Sequence, residues 1–292
     1  MATTKTISDA QLELAFRLGQ TSAPSNASEL AKRLSWFNTA INNVLKKKPL
    51  WFTKTRIGYQ AVANKQAYDL PANYRKMIEV RISDYEYKKI PFEDVYDRVL
   101  RTSNPVAMLP EYQERIYWIY DDKMSFVPIP DTTEVPTTLS VSSATYSSST
   151  GYVTLTTSTN HNLTTGSLID VSGAGQTEYN GQFEIIDSGD TTVLYTPTTA
   201  PSVTTATGTI TSTRANIELW YYSYPTKPTG NSSLIVLPDE YIDILVSYAE
   251  GRYWSTAHKR AKSSDAFVEY ETLVDDLMTE DFRRGFGEKT IL

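Results

Sequence analysis

Residues 161–196 read HNLTTGSLIDVSGAGQTEYNGQFEIIDSGDTTVLYT, and this stretch decides how the middle of the chain folds. Its apolar residues come in short bursts at alternate positions, which is the period of a half-buried strand. Asn180-Gly181 separates two of the bursts, and this dipeptide is typical of a hairpin turn. Comparable bursts continue on both sides, so the pattern predicts about six strands in a β-sandwich or a small barrel. The apolar bursts contain Leu139 and Val141; Tyr152, Val153 and Leu155; Leu168, Ile169 and Val171; Phe183, Ile185 and Ile186; Val193, Leu194 and Tyr195; and Ile210.

The segment around this stretch also differs from the rest of the chain in composition and charge. Residues 137–213 include 34 Ser or Thr among 77 residues, and Thr favours strands because its β-branched side chain is stiff. No Lys or Arg occurs between Met124 and Thr213, so that segment carries −7 and the remainder +1 of the net charge of −6. We therefore predict an inserted β domain at residues 132–213 within a scaffold of residues 1–131 and 214–292. The acids of the segment are Asp131, Glu134, Asp170, Glu178, Glu184, Asp187 and Asp190.

Two helices are predicted before the first strands. Ser8 with Gln11, and Asn26 with Glu29, have the spacing of a capping box, in which two side chains satisfy free helix amides. Lys46-Lys47-Lys48 then precedes Pro49, which favours a helix C-terminus over a nucleic-acid patch. The apolar stripe of the second helix is Leu30, Leu34, Phe37, Ile41 and Leu45.

The scaffold is also predicted to contain a small antiparallel sheet. Asp121-Asp122 lies between two strand-like runs and predicts a hairpin, and Pro91 predicts a short helix to about Leu100. Residues 217–224 form a strand-like run after the insertion. Because the ends of an inserted domain lie close together, we expect residues 124–127 and 217–224 to be neighbours in the sheet. The predicted fold class is α+β, a helical scaffold with this sheet plus the inserted β domain.

The last third predicts a helical hairpin joined at residues 258–262. Leu237-Pro238 opens the first helix, Ser263 or Ser264 caps the second, and Gly285 with Gly287 ends it near Asp281.

A cluster of cations lies at the junction of the two helices. These side chains could bind phosphate, but a solvated helix end is the favoured interpretation. The cluster is His258, Lys259, Arg260 and Lys262.

Composition excludes several classes of site. The chain has no Cys and only two His, 97 positions apart, so disulfides, thiolate metal sites and His-based triads are excluded. No apolar run is long enough to span a membrane, and the polar N-terminus shows no secretory signal. No motif selects a pair of carboxylates for glycoside hydrolysis. We expect a protein that is not an enzyme and has no catalytic, cofactor-binding or metal residues. The 20 Tyr indicate protein contact surface.

The quoted stretch resembles a β-module that recurs in tail and connector proteins of tailed bacteriophages. The resemblance implies a decorating or contact module on the surface of a virion. Turn geometry alone would also explain the glycines and Asn180, and His161 is predicted to be a surface loop residue. The matching positions are His161, Gly166, Val171, Ser172, Gly173, Tyr179, Asn180, Gly181, Phe183 and the run 193–195.

The order of the flanking elements resembles the head-to-tail adaptor (connector) proteins of tailed bacteriophages. The resemblance covers about residues 10–130 and 214–281, and the long β insertion is a departure, since many adaptors lack it. The resemblance rests on three sequence segments, QAYDLPANYRKMIEVRI, ELWYYSYP and LPDEYIDILVSYAEGRYW. The best-matching positions are Tyr68-Asp69-Leu70-Pro71 with Ile78 and Val80, the run 220–225, and Leu237-Pro238 with Tyr241.

The resemblance implies a ring, usually of twelve copies, that lies between portal and tail and continues the DNA channel. Its implied partners are other copies of the chain, the portal protein, a downstream tail or stopper protein, and passing genomic DNA without sequence-specific binding. The implied location is the neck of the virion, after synthesis in the host cytoplasm. The alternative is a tail- or fibre-associated carbohydrate-binding structural protein, because a Ser/Thr-rich β-module with Tyr and Asn can bind sugars.

The segment 282–292, FRRGFGEKTIL, is the candidate contact with the portal. Large apolar residues beside cations suit a segment that orders on binding, since apolar anchors give affinity and arginines pair with carboxylates. Adaptor C-termini of this kind insert between portal subunits, so the resemblance implies the same role. The alternative is a frayed terminus. The predicted portal-contact residues are Phe282, Arg283, Arg284, Phe286, Ile291 and Leu292.

Overall fold

The structure, a computed structural model, describes residues 4–95 and 115–287. Within them it is a mixed α+β fold, as predicted, with five α-helices, a seven-stranded sheet and a closed six-stranded barrel. The helices are α1 (Ile7–Arg17), α2 (Ala27–Lys47), α3 (Phe92–Val95), α4 (Ile242–Thr256) and α5 (Arg260–Gly287). The strands are β1 (Lys54–Tyr59), β2 (Ala67–Asp69), β3 (Tyr74–Ile82), β4 (Tyr85–Lys89), β5 (Ile116–Tyr120), β6 (Lys123–Val127), β7 (Thr138–Ser147), β8 (Tyr152–Thr157), β9 (Leu168–Ala174), β10 (Gly181–Ser188), β11 (Thr192–Tyr195), β12 (Gly208–Ala215) and β13 (Ile217–Ser223).

The chain divides into two compact units. The helical unit comprises residues 1–55, 73–76 and 222–292, and the β unit comprises residues 56–72 and 77–221. The predicted domain 132–213 lies wholly inside the β unit, and its independent folding stays a prediction. The predicted helix after Pro91 begins as α3, and its part beyond Val95 lies outside the described residues.

Helix α1 of the helical unit begins two residues earlier than the predicted capping box. The carboxylate of Asp9 accepts hydrogen bonds from the backbone N–H of Thr6 at 2.7 Å and from its hydroxyl at 2.8 Å. The predicted partner Gln11 instead lies buried and donates to the carbonyl oxygen of Leu30 at 3.2 Å. Of the second predicted capping box the N-cap is confirmed, because the Asn26 side chain accepts the N–H of Ser28 at 2.8 Å and α2 follows. Its predicted partner Glu29 instead pairs with Arg33 at 3.3 Å.

The cap of α1 predicts a dependence of stability on pH. The two hydrogen bonds from Thr6 lower the pKa of Asp9, so the folded protein holds this proton more weakly than the unfolded chain. The stabilisation is therefore complete above the ordinary aspartate pKa of about 4 and is lost as the pH falls through the folded-state value. We expect Asp9→Ala to cost about 1 kcal/mol at neutral pH and clearly less near pH 2–3, measured by urea unfolding. An equal cost at both pH values would contradict the linkage.

The core of the helical unit forms around α4, which packs against α1, α2 and α5. The predicted helical hairpin is confirmed, but α5 begins at Arg260 and not at Ser263 or Ser264. The difference arises because the Ser263 hydroxyl donates to the Gly251 carbonyl oxygen at 3.0 Å, which ties α5 to α4 instead of capping α5. The buried core residues are Ile7, Leu14, Phe37, Ile41, Val44, Leu45, Ile242, Leu245, Val246, Tyr270, Val274 and Leu277.

The sheet is larger than the small antiparallel sheet that the sequence predicts. Its strand order is β1-β13-β3-β4-β5-β6-β2, and β4 pairs with β5 in parallel. The predicted hairpin of β5 and β6 is confirmed, with Asp121 and Asp122 both at positive φ in the turn. The segments before residue 90, which the sequence predicts to be extended, supply β1 to β4, four of the seven strands.

The prediction that residues 124–127 and 217–224 are neighbours is wrong. The corresponding strands β6 and β13 are separated in the sheet by β3, β4 and β5. Ten residues, 128–137, lead from β6 to the barrel, and such a segment can span about 30 Å. On the way out only Asn216 separates β12 from β13. The insertion therefore does not require its two flanking strands to be adjacent.

All six predicted bursts of the insertion form strands, and they close into a barrel with the order β10-β11-β8-β7-β12-β9. The Asn180-Gly181 dipeptide does not form a two-residue hairpin. A short 3-10 turn, Thr177–Tyr179, joins β9 to β10, and the Asn180 side chain bonds the N–H and the carbonyl oxygen of Ala174 at 2.9 and 2.8 Å. The barrel core contains Ala144, Val153, Leu155, Ile169, Tyr179, Phe183, Ile185, Val193, Tyr195 and Ile210.

The prediction that His161 is a surface residue is wrong, because it is only 7% exposed. The N–H of Leu163 donates to His161 Nδ1 at 2.9 Å, so Nδ1 carries no proton. Nε2 therefore carries the proton and donates to the carbonyl oxygen of Thr192 at 3.3 Å. The imidazole links the loop before β9 to β11, which explains its position in the module without a binding role.

Within the β unit the barrel lies against β1 through a set of polar contacts. The Gln182 side chain accepts the N–H of Gly58 at 2.7 Å and donates to its carbonyl oxygen at 2.9 Å. The Arg56 guanidinium donates to the Gly166 carbonyl at 2.8 Å and to Glu218 at 2.6 Å, and it stacks 4.7 Å from the Trp220 ring centroid. We call this set, Arg56, Gly58, Gly166, Gln182 and Glu218, the barrel seam.

Candidate functional site

The end of α5 is fixed to the helical unit by Asp281, just before the predicted contact segment. Its carboxylate pairs with Lys48 Nζ at 2.9 Å and accepts the backbone N–H of Trp51 at 2.7 Å. Lys48 also donates to the carbonyl oxygen of Met278 at 2.9 Å. Lys48 and Trp51 follow α2 directly, so the chain after α2 holds the last turns of α5 in place.

Arg284, one turn further on, is held by three side chains. Its guanidinium donates to Glu280 at 2.8 Å, lies 3.5 Å from a carboxylate oxygen of Glu240, and stacks 4.5 Å from the Trp51 ring centroid. The hydrogen bond to Glu280 raises the pKa of Arg284 above its ordinary value, so the group stays charged. We call this arrangement of Lys48, Trp51, Asp281 and Arg284 the C-terminal anchor.

The anchor explains why α5 does not end near Asp281, as predicted, but continues to Gly287. A glycine inside a helix costs about 1 kcal/mol relative to alanine. The contacts of Asp281 and Arg284 offset this cost, because they fix the backbone on either side of the turn that contains Phe282 and Arg283. Tertiary contact therefore overrides the local preference.

The six predicted portal-contact residues differ in their exposure and contacts. Arg284 is already engaged inside the helical unit, whereas Phe282 is 63% exposed and the Arg283 side chain is 75% exposed. Arg283 has one weak contact, 4.0 Å to Glu280 of the preceding turn. The Phe286 side chain, Ile291 and Leu292 lie outside the described residues. The contact segment therefore begins with one aromatic and one cationic side chain on an anchored helical turn.

Sequence analysis missed the residues that position this turn. The sequence pattern assigns Lys48 to the end of α2, where a cation is favoured, and no local pattern links it or Trp51 to Asp281, 230 positions or more away. The neighbouring Lys47 pairs with Glu271 at 3.1 Å, so two of the three lysines contact α5. Only charge complementarity between the end of α2 and the acids of α5 could have suggested the contact.

The described part of the chain contains no group of three or more His, Asp or Glu that could hold a metal ion. None of its helices is long and apolar enough to cross a membrane. No protein-family model matches the chain, and a search of curated proteins finds no significant relative.

Proposed function

We propose that this protein is a structural head-to-tail adaptor of a tailed bacteriophage, in which copies of the chain form a ring between portal and tail. The end of α5 contacts the portal, and the ring continues the DNA channel in the neck of the virion. The role is structural and not enzymatic. A net charge of −6 supports passage of DNA, since binding needs cations that neutralise phosphates.

The observation that carries the proposal is the last described turn of α5. The C-terminal anchor holds its backbone, while Phe282 and Arg283 remain exposed. A preordered turn loses less conformational entropy on binding than a disordered tail. An exposed phenylalanine ring beside an arginine is also a composition that is enriched at protein interfaces. The turn thus supports a docking role better than the alternative of a frayed terminus.

The positions that carry the resemblance to adaptors are partly packing sites, although Ile78 is 43% and Tyr224 54% exposed. Tyr68 in β2 and Leu237 before α4 are almost fully buried, and Phe126 stacks on Tyr68 with ring centroids 5.3 Å apart. Proteins that share an architecture would retain such packing residues even if they had no catalytic motif in common. This supports the family assignment that the sequence suggests.

The test compares variants of the exposed turn for binding to the portal of the same phage by co-sedimentation. We expect Phe282→Ala with Arg283→Glu to weaken binding at least about ten-fold, while circular dichroism stays unchanged because neither residue belongs to the anchor. Removal of residues 282–292 should abolish binding. The matched control is Val268→Ala, at an equally exposed apolar position of the same helix (64%).

Undiminished binding by both the double variant and the truncated chain would refute the portal contact. Binding of the intact chain to cell-surface glycans, with none to the portal, would favour the carbohydrate-binding alternative.

A further inference from the structure

Helix α1 has an apolar outer face that the described residues leave exposed. Its inner face is fully buried through Ile7 and Leu14, yet Leu12 is 40% and Phe16 54% exposed. These two residues are four positions apart and so lie on one side of the helix. They line a groove between α1 and the start of α4, at Ile242. We call this surface the α1 groove.

The rim of the α1 groove is acidic. Asp9, Glu13 and Asp243 line it, with Lys5 as the one cation among the lining residues of the described chain. Arg17 at the end of α1 offsets this charge only in part, because two rim acids, Glu13 and Asp243, share it with Glu250 and Glu269 outside the groove. It already pairs with four carboxylates, Glu269 at 2.8 Å, Asp243 at 3.0 Å, Glu250 at 3.7 Å and Glu13 at 4.0 Å. The groove therefore suits a partner that is basic.

The turn between α4 and α5 has the opposite character. Residues 251–264 contain Arg252, Lys259, Arg260 and Lys262 and no acid, and residues 255–262 are all exposed. Within the described chain Lys259 and Arg260 form no ion pair, while Lys262 lies 4.4 Å from the Trp254 ring centroid. We call residues 252–262 the hairpin tip.

Helix stability explains only part of the hairpin tip. The C-terminus of α4 favours Lys259, three residues after it, but the N-terminus of α5 disfavours Arg260 and Lys262. The first turn of α5 contains no acid, although a helix N-terminus favours acids and disfavours cations by about 0.3–1 kcal/mol each. A local sequence choice that opposes its own helix is expected where a binding function requires it. The positive charge of the hairpin tip is thus better explained by a binding partner than by the stability of α5.

The hairpin tip cannot fill the α1 groove of its own copy. Asp243 at the groove and Ala257 at the tip lie at opposite ends of α4, which rises about 1.5 Å per residue and so holds them about 20 Å apart. A second copy has no such constraint. We infer that the hairpin tip of one copy docks on the α1 groove of the next, with Lys259 and Arg260 facing the acidic rim.

This contact joins two different surfaces of the same chain. Such heterologous contacts form rings when the rotation between copies closes. The inference rests on the ring of the proposed function but not on its contact with the portal. It adds the interface that joins the copies.

The first test uses the absence of cysteine from the natural chain. Phe16→Cys combined with Arg260→Cys should give a ladder of covalent oligomers on mild oxidation, resolved by non-reducing electrophoresis. Each single variant can give at most a dimer. The matched control combines Phe16→Cys with Lys227→Cys, an exposed lysine outside the tip, and should give little beyond dimer.

The second test exchanges charges across the contact. Glu13→Arg and Arg260→Glu should each lower the fraction of oligomer at least about ten-fold, and the chain that carries both should recover it. Arg260→Glu favours the dipole of α5, so its effect cannot come from loss of the helix. Glu13→Gln removes the negative charge without adding a positive one. It therefore separates the loss of attraction from the repulsion that Glu13→Arg adds.

The outcomes separate the two proposals. This interface would be overturned if rings formed but the cysteine pair did not cross-link above the control, or if the double charge variant did not recover the oligomer. The proposal of a ring would then still stand. A chain that stays monomeric and uncross-linked at all concentrations and on the portal would overturn the ring as well. A ladder without portal binding would contradict only the portal contact.

Discussion

Gly173→Ala is expected to destabilise the barrel by about 4 kcal/mol, because position 173 combines backbone strain with a clash. Gly173 has φ +84°, and a Cβ atom there would lie 2.1 Å from the carbonyl oxygen of Thr209 on the neighbouring strand. Gly208, at φ +103°, approaches Gly173 from that strand, and its own Cβ would lie 2.4 Å from the Gly173 carbonyl oxygen. Neither strand can move away without breaking the pairing of β9 with β12.

The control for this prediction separates strain from contact. Gly151 has a similar φ of +77°, but nothing lies within 4 Å of the Cβ that alanine would add. Gly151→Ala should therefore cost only the strain, about 1–2 kcal/mol. Thermal unfolding and the near-ultraviolet signal of the buried Tyr179 and Tyr195 measure both variants. An equal loss in the two variants would contradict the role given to the Thr209 carbonyl.

The two glycines show how far the sequence predicts the barrel. Alternation of apolar residues predicted all six strands, since each burst is a local pattern. Glycine content alone placed Gly173 in a turn, and this is wrong, because Gly173 lies inside β9. The close approach of Gly173 and Gly208 joins positions 35 residues apart, and no local signal contains it. The same limit explains the error for β6 and β13, since strand order depends on which long-range pairs form and not on the pattern of either strand.

The candidate site was likewise predicted only where a local pattern contains the information. The composition of residues 282–292 selected this segment, and Phe282 and Arg283 are exposed. The helix boundary was predicted wrongly because propensity alone places a break at the glycines. Lys48 and Trp51 reverse that preference through contacts with Asp281 and Arg284, more than 200 residues away in sequence. Positioning residues of this kind become visible only when α2 and α5 are side by side.

Excision of residues 131–213 is expected to leave the helical unit folded. The core of that unit is built from α1, α2, α4 and α5, and no residue of the barrel belongs to it. The cut ends lie close together, because the N–H of Asn64 donates to Pro130 at 2.9 Å and the N–H of Ala61 donates to Asn216 at 2.9 Å. Ala61 and Asn64 are three residues apart, at most about 10 Å, so a short Gly/Ser linker can join Pro130 to Arg214.

The excised chain should nevertheless be less stable, because the barrel seam is lost. Removal of Gln182 leaves the N–H and the carbonyl of Gly58 without their partner, and Arg56 loses its bond to the Gly166 carbonyl. A loss of about 3 kcal/mol would lower the melting temperature of the remaining 209 residues by about 6–12 °C. The helical circular dichroism signal and cooperative unfolding should persist.

A point variant tests the seam without removing the barrel. Gln182→Ala should reproduce part of the fall in melting temperature, about 2–4 °C, because one side chain supplies two of the seam's hydrogen bonds. Loss of the helical signal in the excised chain would show that the helices need the barrel to fold. If the excised chain melted at the natural temperature while Gln182→Ala melted lower, the seam would not be the source of the coupling. The expected order, natural above Gln182→Ala above excised, follows only if the barrel is a separate folding element that stabilises the sheet through β1.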